Sequence, residues 1–366
     1  MNSFAFILHP LSVEDAFRKY PWARVLPGAW VERAMALTRP RVLSEITGLR
    51  SATGAEARGW FVVLPLTSRL LTALPAERTV PRVLETCKLA ASVLKPDIIG
   101  LGAFTKVVGD AGVTVAKELS VPVTTGNSYT VATAIEAALL GAEKMGLDLA
   151  QTGAAVVGAA GSIGRVCAKA LARQVARLEL VDISEERLQP VLEEIRSDVR
   201  TKAAVTACSQ VPEALQRSRL VVSATSAVGA VIHPGDLQPG TVVCDPARPR
   251  DVSAEVGRVR DDVLVVDGGV VEVPGEVDFH FNFGFPPRTA YACMAETMIL
   301  ALEGKFESFS LGRQLSEEKV EEIAALGRKH GFRLAGLRAF ERAVTDEEIA
   351  AIRERAQRRR SSALTR

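Results

Sequence analysis

The feature that most constrains this chain is a glycine turn, Gly158-Ala-Ala-Gly161-Ser162-Ile163-Gly164. It lies between an apolar strand, Ala154–Gly158, and the helix it opens, Ile163–Ala172. Glycines at these steps let the backbone turn sharply and come close to a pyrophosphate, whose charge meets the unpaired N–H groups of the helix start. The spacing is GxxGxxG rather than the commoner GxGxxG, so the turn differs somewhat but serves the same purpose. Asp182 ends the next strand, eighteen residues beyond Gly164. A carboxylate there accepts hydrogen bonds from the adenosine ribose and repels a 2′-phosphate. The next residue, Ile183, is not basic, so the residues alone favour NADH over NADPH. Gly158, Gly161, Ser162, Ile163, Gly164 and Asp182 are the candidate cofactor-binding residues.

The rhythm around that turn sets the fold class. Strand candidates follow at Leu178–Asp182, Val205–Ala207, Leu220–Ala224, Val242–Asp245 and Leu264–Asp267, with a helix at Glu185–Arg196. Six short strands, the first two joined by a helix, predict a doubly wound Rossmann domain. Upstream, Phe4–Leu8, Gly59–Leu64, Asp97–Ala103 and Val121–Thr125 read as strands. Helices are expected at Val80–Leu94, with Val83, Leu84, Cys87, Ala91 and Leu94 at helical spacing, at Asp110–Leu119 and at Ser128–Met145. That alternation predicts an N-terminal α/β substrate domain with a small, mainly parallel sheet. After Pro274 the pattern turns helical, at Ala290–Leu302, Glu317–His330 and Asp346–Arg360, and these C-terminal helices are expected to pack back. The expected division is α/β throughout: 1–150 for the acyl-binding substrate domain, 151–275 for the Rossmann domain, 276–345 for a helical segment and 346–366 for a charged helical tail. The last stretch, RERAQRRRSSALTR, is poor in apolar residues and is expected to fray.

At 366 residues the chain suits two domains. Its 48% hydrophobic and 24% charged residues are those of an ordinary globular protein. A net charge of +2 argues against a nucleic-acid partner. The local excess lies in Arg353, Arg355, Arg358, Arg359 and Arg360, a solvated helix end or a contact for an anionic partner such as a membrane surface. No uncharged apolar run of about 18 residues predicts a transmembrane span, and FAFILHPLSVEDAFRK reads as a buried strand rather than a leader. Cytoplasmic location is the expectation.

Five cysteines are odd in number and irregular in spacing, and no CxxC pair suggests a metal, so free thiols in a reducing compartment are expected. Cys293 follows Phe285-Pro-Pro-Arg-Thr-Ala-Tyr-Ala, where two prolines end a loop and an apolar helix begins. A cysteine in the first or second helical turn is expected to have its pKa drawn below the free value of about 8.5, which favours the nucleophilic thiolate. Cys87 falls on an apolar helix face, Cys167 in the first Rossmann helix, Cys244 in a strand and Cys208 at a strand end. All four read as poorer nucleophiles.

Several pieces together resemble a known family: Val123-Thr-Thr-Gly-Asn-Ser128, the VVGAAGSIG turn, Asp267-Gly-Gly-Val-Val-Glu272, Ala292-Cys-Met-Ala-Glu296, Leu311-Gly-Arg313 and Lys329-His-Gly-Phe332. From the first strand to about Phe332 the chain is similar to the aldehyde-forming long-chain fatty acyl-carrier-protein reductases best known from cyanobacteria. The resemblance implies that Cys293 takes the acyl group, that the donor is acyl carrier protein or acyl-coenzyme A, and that NADPH is the reductant. The chain departs from the pattern in two places. It continues some thirty residues beyond the KHGF segment, and it has Ile183 where the family carries a basic residue.

The expected chemistry has two steps. Thiolate attack on the thioester leaves an acyl-enzyme, and hydride then gives a thiohemiacetal that collapses to aldehyde. Backbone N–H groups at the helix start suit the oxyanion. His9, His280 and Tyr291 are open candidates for the proton donor, with Glu296 placed to orient one. The Gly102-Ala-Phe-Thr-Lys106 turn and the Val123-Thr-Thr-Gly-Asn127 loop follow strands and are expected to border the cofactor cleft. Burying about fifteen methylenes at about 0.8 kcal/mol each sets an upper bound of about 12 kcal/mol on chain binding. Two rivals stay open: a shikimate or hydroxy-acid type dehydrogenase with no covalent thiol, and a non-catalytic acyl- or cofactor-binding protein.

Overall fold

The computed structural model describes residues 1–364 apart from Val107 and Phe283. The chain divides into two compact units: Met1–Tyr129 with Glu272–Arg333, and Thr130–Val271 with Leu334–Arg366.

The first unit is built on six strands. Strands β1 (Asn2–Leu8), β2 (Arg41–Arg50), β3 (Glu56–Val63), β4 (Ile98–Leu101) and β5 (Val123–Thr124) lie in the order β2-β3-β1-β4-β5, and the strand Gly275–Asp278 borders β2. The centre is parallel, with Phe4 opposite both Gly59 and Ile98, and Ile99 opposite Val123. The β2 side is antiparallel, so the sheet is mainly parallel, as expected, with an antiparallel flank that the sequence did not announce. Gly59 is required there, because a Cβ would lie 2.3 Å from the Phe4 ring. On one face Ile7, Ile99 and Leu101 pack with Val83, Cys87 and Ala90 of the helix Ala76–Leu94, all fully buried.

The expectation of a helical stretch after Pro274 is corrected by five short strands among the described residues, three of them the two-residue pieces Arg333–Leu334, Arg338–Ala339 and Arg342–Ala343. Gly275–Asp278 is a strand whose burial alternates, with Val277 inward and Glu276 and Asp278 outward. Thr289–Tyr291 is extended, so the cysteine helix begins at Ala292 and runs to Glu303. Ten of its twelve residues are buried, which fits a helix apolar on all sides.

The second unit contains β6 (Gly153–Val157), β7 (Arg177–Val181), β8 (Ala204–Cys208), β9 (Leu220–Ser223), β10 (Val242–Cys244) and β11 (Leu264–Val266), in the order β11-β10-β9-β6-β7-β8. All five pairings are parallel. The order reverses between β6 and β9, the switch point of a doubly wound sheet. The expected break near residue 150 falls instead after Tyr129. The reason lies in the helix Asn127–Lys144, where Gly141 sits against Val242 of β10, close enough that a Cβ would lie 2.9 Å from it. Residues 334–366 also belong to this unit. The helix Asp346–Leu364 does not fray at Arg353 as expected, while residues 365 and 366 lie outside the described residues. Ile349 and Ala356 are buried, Lys144 pairs with Asp346 at 2.6 Å, and Arg359 pairs with Asp261 and Asp262 at 2.6 and 2.8 Å. No helix among the described residues is long and apolar enough to cross a membrane.

Candidate active site

In the second unit the glycine turn leaves β6 at its carboxyl end. Gly158 has φ +82°, a conformation open to glycine at little cost, and its N–H donates to Val181 O at 2.8 Å. Gly164 must lack a side chain, since a Cβ would lie 2.1 Å from Gly158 O. Gly161 caps the helix Ser162–Ala172. The first helical hydrogen bond runs from Arg165 N–H to Gly161 O at 2.9 Å, so Ser162, Ile163 and Gly164 present N–H groups with no intrahelical acceptor. A Cβ at Gly161 would meet only backbone oxygens, the nearest at 3.1 Å. These are the attributes of an anion cradle, and the residues present fit a dinucleotide.

Asp182 stands just past β7 and is more tied down than its position in the sequence suggested. It accepts from Ala160 N–H at 3.2 Å, from Ile183 N–H at 2.9 Å and from Arg187 Nη1 at 2.8 Å. The cation is thus supplied from one turn into the next helix, while Ile183, 86% exposed, contributes only its backbone N–H. Two further carboxylates, overlooked in the sequence, shape the loops past β9 and β10. Asp251 accepts from Ser223 Oγ and Thr225 N–H, both at 2.8 Å, and Asp245 accepts from Ala247 and Val252 N–H at 3.0 and 2.9 Å. For Asp245 the signal was an acid directly after an apolar strand; Asp251, seven residues past that strand, had no comparable mark.

In the first unit Cys293 is the second residue of its helix and is half-buried, whereas Cys87, Cys167, Cys208 and Cys244 are buried. Burial pushes the thiols of Cys87 and Cys167 up to about 12. The expected lowering at Cys293 is not what its surroundings give. Burial pushes this thiol up as well; the charge of Lys106 and the N–H of Met294 work against that, and Glu296 adds to it. Desolvation therefore outweighs the helix start.

Three segments, the turn ending at Lys106, the 123–128 loop and the stretch at Ser310, gather around the start of the cysteine helix. Gly126, at φ +73°, lies so close that a Cβ would fall 2.3 Å from Cys293 Cα. Glu296 is fully buried one turn on, where it accepts from Tyr129 N–H at 2.8 Å and from the Thr124 hydroxyl. Ser310 Oγ donates to Ser128 Oγ at 2.7 Å and accepts from Ser128 N–H at 3.2 Å. The carboxylate and the Ser310 segment thus hold the 123–128 loop against the cysteine helix. Burial raises the Glu296 pKa, against hydrogen bonds from Thr124, Tyr129 and Ser310 and the charge of Lys106. Asn127 Oδ1 in the same loop is buried without a hydrogen-bond partner.

The proton-donor candidates separate clearly. His9 is buried and held at about 4 by desolvation; its Nδ1 bonds Pro10 O at 2.8 Å and its Nε2 accepts from Phe104 N–H at 3.0 Å. Both ring nitrogens are occupied, so His9 is a brace for the 102–106 turn rather than a donor. His280 is exposed beside Asp278. Tyr291 is the N-cap of the cysteine helix, its ring against Phe285 at 4.7 Å. The residue that sequence reasoning passed over is Lys106, named only as the end of its turn. It is half-buried, its charge acts on Cys293 and Glu296, and no hydrogen bond or ion pair engages it among the described residues. No group of three or more His, Cys, Asp or Glu among the described residues could hold a metal ion.

Residues 140–267 match the family described as shikimate / quinate 5-dehydrogenase. That segment carries the doubly wound sheet, its glycine turn and Asp182. The second unit is a nucleotide-binding domain of the NAD(P)-dependent oxidoreductase type, and NAD(P)H is the cofactor that such a domain takes. Among curated proteins, the aminotransferase PigE of a Serratia species is 35% identical over 303 residues, 80% of this chain and 34% of that protein. The chain thus spans about a third of that relative. The long-chain acyl-[acyl-carrier-protein] reductase of Synechococcus elongatus is 28% identical over 305 residues, 80% of this chain and 87% of that protein. Among solved structures, a quinate dehydrogenase from Corynebacterium glutamicum in complex with NAD matches 88% of this chain and 98% of its own, at 14% identity and a TM-score of 0.38.

Proposed function

We propose that this chain reduces a long-chain fatty acyl thioester to the fatty aldehyde, with Cys293 carrying the acyl group between transfer and reduction. One observation carries the reading: of the five thiols, four are buried and Cys293 alone is half-buried, and it opens a helix under a loop braced by a buried carboxylate. The similarity to the Synechococcus acyl-carrier-protein reductase over 87% of that protein supports it. The acyl donor is acyl carrier protein or acyl-coenzyme A.

In this reading the Cys293 sulfur attacks the thioester carbonyl, and the carrier leaves as its thiol. Backbone N–H groups of the first helical turn face the oxyanion that forms. Lys106 contributes positive charge to the thiolate before attack. NAD(P)H, when bound, supplies the hydride that reduces the acyl-enzyme to a thiohemiacetal. Gly126 and Glu296 fix the cysteine backbone through both steps. Gly158, Gly161, Ser162, Ile163 and Gly164 hold the pyrophosphate, and Asp182 meets the adenosine ribose, which favours NADH.

Incubation with palmitoyl-coenzyme A without cofactor tests this. Intact mass is expected to rise by one palmitoyl group, mapped to Cys293 and absent in Cys293→Ala and Cys293→Ser. Acylation at Cys87, Cys167, Cys208 or Cys244 overturns the assignment. The match of residues 140–267 favours a second reading, a dehydrogenase acting on an alcohol or ketone without a covalent thiol. Full turnover by Cys293→Ala would establish it.

A further inference from the structure

We propose that residues 21–42 form an interfacial face that docks this chain on an anionic lipid surface. Two short helices, Pro21–Val25 and Gly28–Ala36, precede β2. They bury Ala23, Val31 and Glu32, and little else. Outward stand Trp22 at 67% exposure, Trp30 at 69%, Val25 at 85% and Leu37 at 81%, with Leu26 and Val42 also exposed. These are six of the thirteen large apolar side chains exposed among the described residues. Their concentration in one short stretch distinguishes them from the scattered apolar residues of an ordinary surface.

Charge decides the occupant. Arg24, Arg33, Arg39 and Arg41 are exposed on the same stretch, and none has a carboxylate partner among the described residues. Arg41 lies over the Tyr20 ring and donates to its hydroxyl at 3.0 Å. The single acid of the segment, Glu32, is buried, and Thr67 and Arg69 occupy its carboxylate. A second copy of this face would set arginines against arginines across a two-fold axis. An acidic protein would answer the arginines but would also have to cover two separated indoles. An anionic bilayer offers both at once: headgroup phosphates for the guanidiniums, and an acyl boundary where indoles, Val and Leu are buried. The inference stands apart from the chemistry at Cys293.

Flotation of the purified full chain with vesicles tests it. Binding is expected to phosphatidylcholine vesicles doped with phosphatidylglycerol, to fall as salt rises, and to be slight on phosphatidylcholine alone. Tryptophan emission should shift to the blue on binding. Trp22→Ser with Trp30→Ser should lower partitioning by about tenfold or more, and Arg24→Gln or Arg33→Gln by about fivefold each. Thermal unfolding should not change, since these side chains touch little. Three results overturn the proposal: no binding by the native chain, binding unaltered in the tryptophan pair, or a dimer abolished by that pair with no vesicle binding.

Discussion

Two helix starts in this molecule serve opposite ends. At Ser162 the chain clears its own atoms away: glycines replace side chains, and the first N–H groups are left without internal acceptors. At Ala292 the chain crowds in. A loop presses on the cysteine backbone, and a buried carboxylate ties that loop down from beneath. The first start offers its donors to an anion. The second is packed, which under the proposed function holds the reacting sulfur in place. A helix N-terminus is therefore not one kind of site. Near Ser162 the unpaired donors dominate, while at Cys293 desolvation overrides them and raises the thiol.

The two glycines that define these starts can break that contrast. Gly126→Ala forces a positive φ on alanine and drives a methyl into Cys293 Cα and Cβ, 2.3 and 2.4 Å from the new atom. A loss of about 2–4 kcal/mol in unfolding free energy is expected, read by denaturant titration. Gly161→Val has an ordinary φ and nearby contacts only with backbone oxygens. The protein should stay folded within about 1 kcal/mol but lose cofactor affinity by about a hundredfold or more in a fluorescence titration. If Gly161→Val unfolds the chain while Gly126→Ala leaves it intact, the contrast between open and packed starts is wrong.

How much of this was legible in the sequence follows from the same contrast. The glycine turn is a local pattern: strand, turn and helix occupy consecutive residues, so spacing alone located Gly158, Gly161, Gly164 and Asp182. The cysteine site joins Lys106, Thr124, Glu296 and Ser310, which are far apart in the chain, and no periodicity links them. Cys293 could be picked out, but its environment could not, and the sign of its pKa shift was therefore misjudged. The strand β2 escaped notice because only Ile46 and Leu49 of its ten residues are buried and its pairing is bulged, which spoils the alternation. His9 looked available because a sequence does not show that both ring nitrogens are already bonded.

The thiol offers a sharper probe. With its pKa raised, Cys293 is mainly the protonated thiol at neutral pH, and the reactive thiolate grows as pH rises through the raised value. Alkylation by iodoacetamide should still be accelerating above the range where a free cysteine levels off. Lys106→Met removes the charge that opposes the rise, so alkylation at pH 8 should slow by about threefold to tenfold. Glu296→Gln should move the rate the other way. A plateau below pH 8 in the native protein would mean that the helix start, and not burial, sets the thiol after all.

The smallest effect concerns the other helix start and decides which nicotinamide it prefers. Asp182 alone would repel a 2′-phosphate, but Arg187 already neutralises it at 2.8 Å with a side chain that is 52% exposed and able to swing outward. The two residues pull in opposite directions, so native discrimination should be modest. We expect kcat/KM for NADH to exceed that for NADPH by less than about tenfold, a difference of under about 1.4 kcal/mol. Arg187→Ala should widen the preference for NADH, because the uncompensated carboxylate then faces the phosphate. Asp182→Ala combined with Ile183→Arg should reverse it, since a guanidinium beside the ribose replaces the carboxylate. If Arg187→Ala leaves the ratio unchanged, its pairing with Asp182 is structural, and the selectivity belongs to other residues of the pocket.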